Sequence, residues 1–359
     1  MPLTTRDVAV WQHSRFGAYD EKKAIEGVRA TPSQAPALVE YSGELKRRWI
    51  ALEASYEDTT LLEMARKAGV TIRPGVFPLD KEVKANGLRL HYLDWGNAGK
   101  PTLLFLHGRA QTAHMWDYSC LALRDRYHCI ALDQRGHGDS QWATDGDYTL
   151  PAQQKDIEEF VKAADLSPFI LVGLSMGGRN AYVYAAEHPA QVQALVIIDT
   201  GPERGASGQR DGQRESERLL ALPDEADSFE EFVQGVKQNS PLRTIVELRE
   251  SLKHSVRQLA NGKWTWKHDL AFRAGRPSAP PPETEYLWRC IERIRVPTLI
   301  VRGGMSNVLP ESAAQRMVRT IPSCQLVTIE RAGHRVPGDA PAAFERALAG
   351  FLERLPSTS

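Results

Sequence analysis

The 359-residue sequence has no long apolar run and no apolar segment near its start. No stretch approaches the roughly 18 apolar residues of a membrane-spanning helix, so we expect no contact with a membrane. The first 24 residues contain no apolar core of signal-peptide length and include Asp7, Asp20 and Glu21. From such a start we expect no secretory or organellar targeting peptide. The sequence therefore predicts a cytoplasmic protein.

An excess of charge of either sign is also missing. The 45 Lys and Arg residues match the 45 Asp and Glu residues, so the formal net charge is zero. A domain that binds nucleic acid normally carries a basic patch, whereas the short run Lys46–Arg48 is typical of a solvated helix face. We expect no nucleic-acid partner.

Signatures of cofactor and metal sites are absent as well. The four cysteines form no C-x-x-C pair, and the ten histidines form no H-E-x-x-H spacing. The sequence also lacks a G-x-x-x-x-G-K-[ST] phosphate loop and a complete G-x-G-x-x-G fingerprint. We expect no bound cofactor, no metal ion, and reduced, buried thiols at Cys120, Cys129, Cys290 and Cys324.

Short uninterrupted apolar runs begin after about residue 81 and alternate with helical patterns. Continuous runs are typical of strands that are buried on both faces, as in a parallel sheet covered by helices. The runs are 102–106, 129–132, 169–172, 194–198 and 298–301. Their alternation with helical segments predicts an α/β fold with a mostly parallel central sheet and helices on both faces.

Two further stretches flank or interrupt this pattern. Residues 1–80 have a mostly helical pattern and predict a helical N-terminal extension. Residues 201–290 contain two helical patterns, near 226–238 and 241–258, and predict a helical cap inserted between two strands. The core is then expected to comprise 81–200 and 291–359.

The motif with the most chemical content is Gly173-Leu174-Ser175-Met176-Gly177. It follows the predicted strand 169–172 directly and precedes a helical segment. In this strand–turn–helix context G-x-S-x-G forms a sharp turn that pushes the serine oxygen outward. The motif predicts Ser175 as a nucleophile. The alternative is a glycine-rich turn in which the serine is incidental.

A serine hydroxyl needs a base and a stabilised oxyanion to act on an acyl group. His334 follows a predicted strand at 325–330 and comes after the serine in the chain, the order expected for a base that serves a G-x-S-x-G nucleophile. Two backbone N–H groups are predicted to form the oxyanion hole. They belong to Met176, directly after the nucleophile, and to Arg109, in the loop after strand 102–106.

Taken in order, these motifs resemble the α/β-hydrolase superfamily. The resemblance includes His107-Gly108, the loop Asp133–Ser140, the elbow at Ser175 and Gly333-His334, and it covers about residues 81–357. It implies the α/β-hydrolase fold and a serine hydrolase that cleaves a carboxylic ester through an acyl-enzyme. Asp139 is expected to hold its loop by hydrogen bonds.

Several activities remain open within this superfamily. Dehalogenases and epoxide hydrolases of the fold have Asp at the nucleophile position, so Ser175 argues against both. A lactone, an amide or a C–C bond beside a ketone are alternative substrates, and a non-catalytic ligand-binding protein is an alternative of another class.

The acid of the triad departs from the commonest pattern of the superfamily. That pattern, G-x-x-D-x-x-x-P, corresponds here to Gly303–Pro310, with Ser306 at the acid position and Asn307 beside it. We predict Asp199 instead, since it ends strand 194–198 and some dehalogenases and esterases of the superfamily have their acid there. Neighbouring strand ends are about 5 Å apart, within reach of the histidine. The alternative is that Asp199 caps the following turn and Asn307 orients the histidine.

Substrate choice is expected to depend on the cap and on the loop after strand 102–106. An apolar or aromatic ester-like small molecule would suit a pocket lined by His107, His114, Trp116, Trp264 and Trp266. For the last two, packing of the cap on the core is an alternative. The N-terminal 80 residues carry no motif, and we expect them to pack on the core or to form a homo-oligomer contact.

Overall fold

An eight-stranded sheet runs through the described part of the chain, residues 60–203, 222–238, 244–272 and 282–356 of a computed structural model. In chain order, and including a small separate sheet, the strands are β1 (Leu79–Ala85), β2 (Leu88–Asp94), β3 (Thr102–Leu106), β4 (His128–Leu132), β5 (Phe169–Leu174), β6 (Val192–Ile198), β7 (Glu225–Ala226), β8 (Val256–Gln258), β9 (Trp264–Trp266), β10 (Thr298–Gly303) and β11 (Cys324–Ile329).

The main sheet has the order β1-β2-β4-β3-β5-β6-β10-β11. All neighbours from β4 to β11 pair in parallel, while β2 is antiparallel to both β1 and β4. Crossover helices are needed between parallel strands. The predicted α/β fold with a mostly parallel sheet is confirmed.

Helices cover the sheet on both faces. In chain order they are α1 (60–67), α2 (Asp117–Leu123), α3 (Leu150–Ala163), α4 (Met176–Glu187), α5 (Phe229–Gln238), α6 (Ile245–Leu252), α7 (Thr284–Arg293), α8 (Glu311–Thr320), α9 (Val336–Asp339) and α10 (Pro341–Leu352). No described helix has the length and apolarity needed to cross a membrane.

The side chains of β3 belong alternately to two hydrophobic clusters, one on each face of the sheet. Leu104 and Leu106 belong to a cluster with α3, α4, α7 and α8, whereas Leu103 and Phe105 belong to a second cluster with α2 and α10. Successive side chains of a strand point to opposite faces. A strand between two helical layers is therefore apolar at every position.

The last part of the predicted N-terminal extension packs on the core. Ala65 in α1 and Val70 are buried in the same cluster as α2 and α10. The Arg124 guanidinium donates to the backbone carbonyls of Arg73 (2.9 Å) and Val76 (2.8 Å). Strand β1 begins at Leu79, two residues before the predicted start of the core. Residues 1–59, and with them most of the predicted extension, lie outside the described residues.

The stretch between β6 and α7, here called the insertion (201–283), is not purely helical. The pattern near 241–258 was expected to be one helix, but α6 ends at Leu252 and β8 follows, pairing with β9. The small sheet β7-β9-β8 packs with α5 and α6 around Phe232 and Trp266. Strand β9 is Trp264–Trp266, a Trp-Thr-Trp sequence of high β propensity, which explains the pairing.

Helix α7 corrects the expected end of the insertion at residue 290. Its Leu287 and Ile291 side chains are buried in the main cluster with α3 and α4. Trp288 donates its indole N–H to Glu203 (2.7 Å), at the start of the insertion. The core therefore resumes with α7, several residues earlier than expected.

The loop after β4 contacts the insertion, and its acidic residues have different roles from the expected ones. Asp133, which is buried, accepts hydrogen bonds from the backbone N–H groups of Ala113 (2.6 Å) and Asp139 (3.0 Å). Gly138 is required here because a Cβ would lie 2.1 Å from the Asp133 carboxyl group. The carboxylate of Asp139 instead pairs with Lys267 of the insertion. Asp133 thus holds the loop, and Asp139 links it to the insertion.

Three of the four cysteines are buried, as expected, but Cys324 on β11 is partly exposed. Strand β11 is the edge of the sheet. A residue there has a neighbouring strand on one side alone, so less of its surface is covered.

Glu345 of α10 is a buried carboxyl group. It is 6% exposed, and the Ser119 hydroxyl donates to its Oε1 (2.7 Å). Burial raises the pKa of Glu345 from 4.5 to about 8, and the hydrogen bond from Ser119 acts in the opposite direction. The folded protein therefore holds a proton, between these two pH values, that the unfolded chain has lost.

Stability should consequently fall as the pH rises through this range. We expect the free energy of unfolding to lose on the order of 3 kcal/mol between pH 5 and pH 9 through this group, and Glu345→Gln to lack most of that loss. Denaturant titration at several pH values measures it. Glu353→Gln, a substitution of an exposed carboxylate, is the control. Equal pH slopes for native protein and Glu345→Gln would contradict the prediction.

Candidate active site

The turn between β5 and α4 holds Ser175 in a strained conformation, with φ 54° and ψ −111°. A Cβ at Gly173 would lie 2.3 Å from the carbonyl oxygen of Gly177, and one at Gly177 would lie 2.3 Å from that of Leu106. Both positions therefore require glycine. The Ser175 N–H donates to the carbonyl of Ile198 (3.0 Å), which ties the turn to the end of β6. This is the elbow geometry that the G-x-S-x-G motif predicts.

Three side chains meet at the carboxyl ends of β5, β6 and β11. Ser175 Oγ lies 2.9 Å from His334 Nε2, and His334 Nδ1 lies 2.7 Å from Asp199 Oδ2. A carboxylate accepts, so Nδ1 carries the proton and Nε2 is left to accept from the serine hydroxyl. The tautomer required of a general base is thereby selected.

Asp199 is completely buried at the end of β6 and has a φ of 47°. Its Oδ1 accepts a hydrogen bond from the N–H of Gly303 (3.0 Å), and its Oδ2 accepts from the Ser306 hydroxyl as well as from His334. A buried carboxylate is stable when donors satisfy its oxygens. The structure therefore brings Asp199 to the histidine. If Asn307 oriented His334 it would have to bind Nδ1, but Nδ1 is hydrogen-bonded to Asp199.

Ser306 is a residue to which the sequence assigned no role. It stands where the commoner pattern of the superfamily has the acid, and here it donates to the acid of the neighbouring strand. The sequence shows that Ser306 lies in the segment Gly303–Pro310, but it does not show that Ser306 bonds to Asp199, which is 107 residues away. Gly303 supports the same arrangement, because a Cβ there would lie 2.2 Å from the carbonyl of Gly333, next to His334.

The loop after β3 lies directly beside the serine. A Cβ at Gly108 would be 3.5 Å from the Ser175 Cβ, an ordinary van der Waals contact. The Gly108 N–H donates to the side-chain oxygen of Gln111 (2.9 Å), a residue that the sequence reasoning missed. Arg109 is exposed in this loop, and Met176 is the first residue of α4. Both predicted oxyanion-hole residues are thus on elements that adjoin Ser175.

Two of the predicted pocket residues are in the interior instead. Trp116 is fully buried and packs on Phe105 and Phe344 at ring distances of 5.1 and 6.4 Å. His107 is also fully buried, donates through Nδ1 to the carbonyl of Gly108 (2.8 Å) and accepts from the N–H of Gln134 (3.0 Å). Burial lowers the pKa of His107, consistent with a neutral ring. Trp116 is thus part of the hydrophobic core and His107 is held by backbone hydrogen bonds, so the expectation that they line a pocket is wrong.

The two tryptophans of the insertion pack mainly within the insertion. Trp266 is buried, lies edge-on to Phe232 at 4.8 Å, and donates its indole N–H to the carbonyl of Pro223 (2.9 Å). Trp264 is half-buried against Phe229 at 5.3 Å. Both tryptophans therefore have a packing role, as the alternative interpretation held, and not the role of a pocket wall. They pack within the insertion, however, and not between the insertion and the core. His114 differs, because it is half-exposed and stacks on His254 of the insertion.

A cavity of about 740 Å³ lies elsewhere, between the start of α3, the end of α4 and the start of α7. It contains none of the three residues that meet at the elbow. The candidate active site is therefore defined by the hydrogen bonds among Ser175, His334 and Asp199, and not by this cavity.

A parallel sheet with a strained serine elbow and a serine–histidine–aspartate hydrogen-bond chain is the arrangement of an α/β hydrolase. The model of the α/β-hydrolase-fold family matches residues 101–341, and the chain belongs to this family.

Two relatives that are named for an enzymatic activity align with most of this chain. Esterase Rv0045c of Mycobacterium tuberculosis is 30% identical over 301 residues, which cover 83% of this chain and 96% of that protein. A crystal structure of this esterase superposes with a TM-score of 0.67 and covers 83% of this chain and 98% of the solved one. Human monoacylglycerol lipase ABHD6 is 27% identical over 275 residues, 72% of this chain and 77% of the lipase.

Proposed function

We propose that this chain is a serine hydrolase that cleaves carboxylic esters through an acyl-enzyme intermediate. The observation that carries the proposal is the hydrogen-bond chain from Ser175 through His334 to Asp199, with distances of 2.9 and 2.7 Å, on a strained elbow. A structural serine needs neither an adjacent imidazole nor an unfavourable backbone conformation.

The geometry supports a defined order of events. His334 Nε2 takes the proton of Ser175 as the oxygen attacks the ester carbonyl, and then gives it to the leaving alcohol. Water attacks the resulting acyl-enzyme with His334 again as the base. Asp199 holds the ring through Nδ1–H and stabilises the imidazolium that forms in each step.

The negative charge on the carbonyl oxygen needs donors that are already in place. We assign this role to the backbone N–H groups of Met176 and Arg109. The first begins α4, so its N–H has no partner within the helix. The second is in the loop that Gln111 holds beside Ser175.

The choice of an ester over other acyl compounds is supported by the relatives, which are named as an esterase and a monoacylglycerol lipase. We further propose that the insertion acts as a cap over the carboxyl ends of the strands. Lys267 pairs with Asp139 of the loop after β4, and His254 stacks on His114 of the segment after β3. Loops at these strand ends form the binding crevice in open α/β sheets.

The proposal is tested by active-site labelling and a substrate panel. We expect a fluorophosphonate probe to label the native chain at one site and to leave Ser175→Ala unlabelled, because the probe reacts with an activated serine. Esters, lactones and amides with matched acyl groups then rank the bond types, with p-nitrophenyl esters as the reference. Absence of labelling in the folded native chain would favour the ligand-binding alternative, and a lactone or amide turned over faster than every ester would refute the ester assignment.

A further inference from the structure

One group of potential metal ligands outside the serine–histidine–aspartate chain joins the core to the insertion. His114 is in the short 3-10 turn Ala113–Trp116, Asp117 begins α2, and His254 is in the turn after α6. Each offers a ligand atom, and these atoms all lie within 4.8 Å of one another. None of the three takes part in the serine–histidine–aspartate chain.

The interactions within the protein leave one strong acceptor of this group unused. His114 Nδ1 lies 3.0 Å from Asp117 Oδ2, but Asp117 Oδ1 is buried without a hydrogen-bond partner among the described residues. The residue is 7% exposed, so water does not readily replace such a partner. A buried carboxylate oxygen that is left unsatisfied is costly. A bound ion coordinated by Asp117 Oδ1 would account for the missing hydrogen-bond partner.

The two imidazoles lie close together at the boundary between core and insertion, and each ring has to turn before both can bind one ligand. Their rings stack with centroids 3.6 Å apart and an angle of 22° between the planes. Ligand atoms on one tetrahedral zinc ion are about 3.4 Å apart, so ligand atoms up to 4.8 Å apart must approach by up to about 1.4 Å, and the rings must rotate until their in-plane lone pairs point at the ion. Two imidazoles and a carboxylate suit borderline ions such as Zn²⁺ and Co²⁺, whereas Mg²⁺ and Ca²⁺ prefer oxygen ligands alone.

A second group within the described residues, His91, Asp133 and Asp139, has similar spacing but is saturated. Both ring nitrogens of His91 are occupied, one by Asp133 (2.8 Å) and the other by Asp80 (2.9 Å). Asp133 in addition accepts two backbone hydrogen bonds. Its internal partners account for this group without a metal ion.

We propose that His114, Asp117 and His254 bind one divalent transition-metal ion of the Zn²⁺ or Co²⁺ type, and that this ion ties the insertion to the core. Three protein ligands leave a fourth position for water. The site departs from the expectation of a metal-free protein, because His254 is 137 residues from Asp117 and no sequence spacing reveals the pair.

Direct binding to the full chain tests the site without reference to hydrolysis. After treatment with a chelator, Co²⁺ is added and its visible absorption is followed. We expect intense tetrahedral bands that saturate at one equivalent and disappear when Zn²⁺ displaces Co²⁺. His254→Gln and Asp117→Asn should each weaken binding at least tenfold, and His188→Gln, a change of a histidine outside the group, should leave it unchanged. No saturable binding by the folded native chain, or binding equal in all variants, would overturn the proposal.

Thermal unfolding tests the link between insertion and core. Binding to the folded state alone raises the midpoint of unfolding. We expect Zn²⁺ at a hundredfold excess over its Kd to raise it by about 3 °C or more in the native chain and in His188→Gln. Neither His254→Gln nor a Mg²⁺ titration of the native chain should show this shift. A shift that persists in His254→Gln would show that the insertion contributes no ligand and would overturn the bridging role.

Discussion

Replacing Ser175 with alanine is expected to lower kcat for p-nitrophenyl ester hydrolysis by roughly 10⁶-fold while the protein stays folded. The change removes one oxygen atom, the one that lies 2.9 Å from His334 Nε2 and that would form the acyl-enzyme. Alanine and serine have the same Cβ, so the strained backbone at φ 54° is no less tolerable in the variant.

The measurement combines initial rates with thermal unfolding of the purified variant. Ser312→Ala is the matched control, because Ser312 is an exposed serine on α8 and its loss should leave kcat unchanged. An unfolding midpoint within about 2 °C of the native value would show an intact fold. Substantial esterase activity in Ser175→Ala would rule out Ser175 as the nucleophile.

Replacing Asp199 with asparagine should lower kcat by about 10⁴-fold with a small effect on KM. Asparagine retains the size of the side chain but carries no charge, so it cannot stabilise the imidazolium. It can also present an N–H to Nδ1, which selects the wrong tautomer of His334. Because Gly303 and Ser306 both donate to Asp199 in the native protein, the amide oxygen can keep a donor on one side.

The comparison variant is Asn307→Ala, for which we expect less than a tenfold change in kcat. Asn307 is next to the position where the superfamily commonly has its acid, and it is the competing candidate for orienting the histidine. A pH–rate profile for each variant separates loss of the charge from a disturbance of the fold. If Asn307→Ala proved far more damaging than Asp199→Asn, the residue that orients His334 would belong to the segment after β10 and not to the end of β6.

The sheet and the elbow could be predicted because their signals are local. Residues 103–106 are all apolar because β3 is covered on both faces, and β3 has the predicted bounds, 102–106. Gly173 and Gly177 mark the elbow around Ser175 because backbone approaches them more closely than a Cβ permits. A run of five residues is sufficient to reveal the strand, and two glycines four positions apart are sufficient to reveal the elbow.

Prediction failed where a residue type fits both a surface and an interior position. Trp116 was expected at the pocket and is in the core, and His107 supports a loop through two hydrogen bonds. The helical pattern near 241–258 continued past Leu252, where pairing with β9 makes the next residues a strand. Helical periodicity and strand propensity compete in such short segments, and the partner strand decides.

By itself the sequence determined the α/β alternation, the serine elbow and the order of serine and histidine, since each depends on residues that are close in the chain. Only the tertiary structure decided which distant side chains meet. It placed Ser306 against Asp199 across 107 residues, Gln111 under the loop beside Ser175, and His254 on His114 across 140 residues. Such contacts depend on how the strands and the insertion pack. Two residues more than a hundred positions apart leave no periodic pattern in the sequence, and the entropic cost of closing the loop between them depends only weakly on its length.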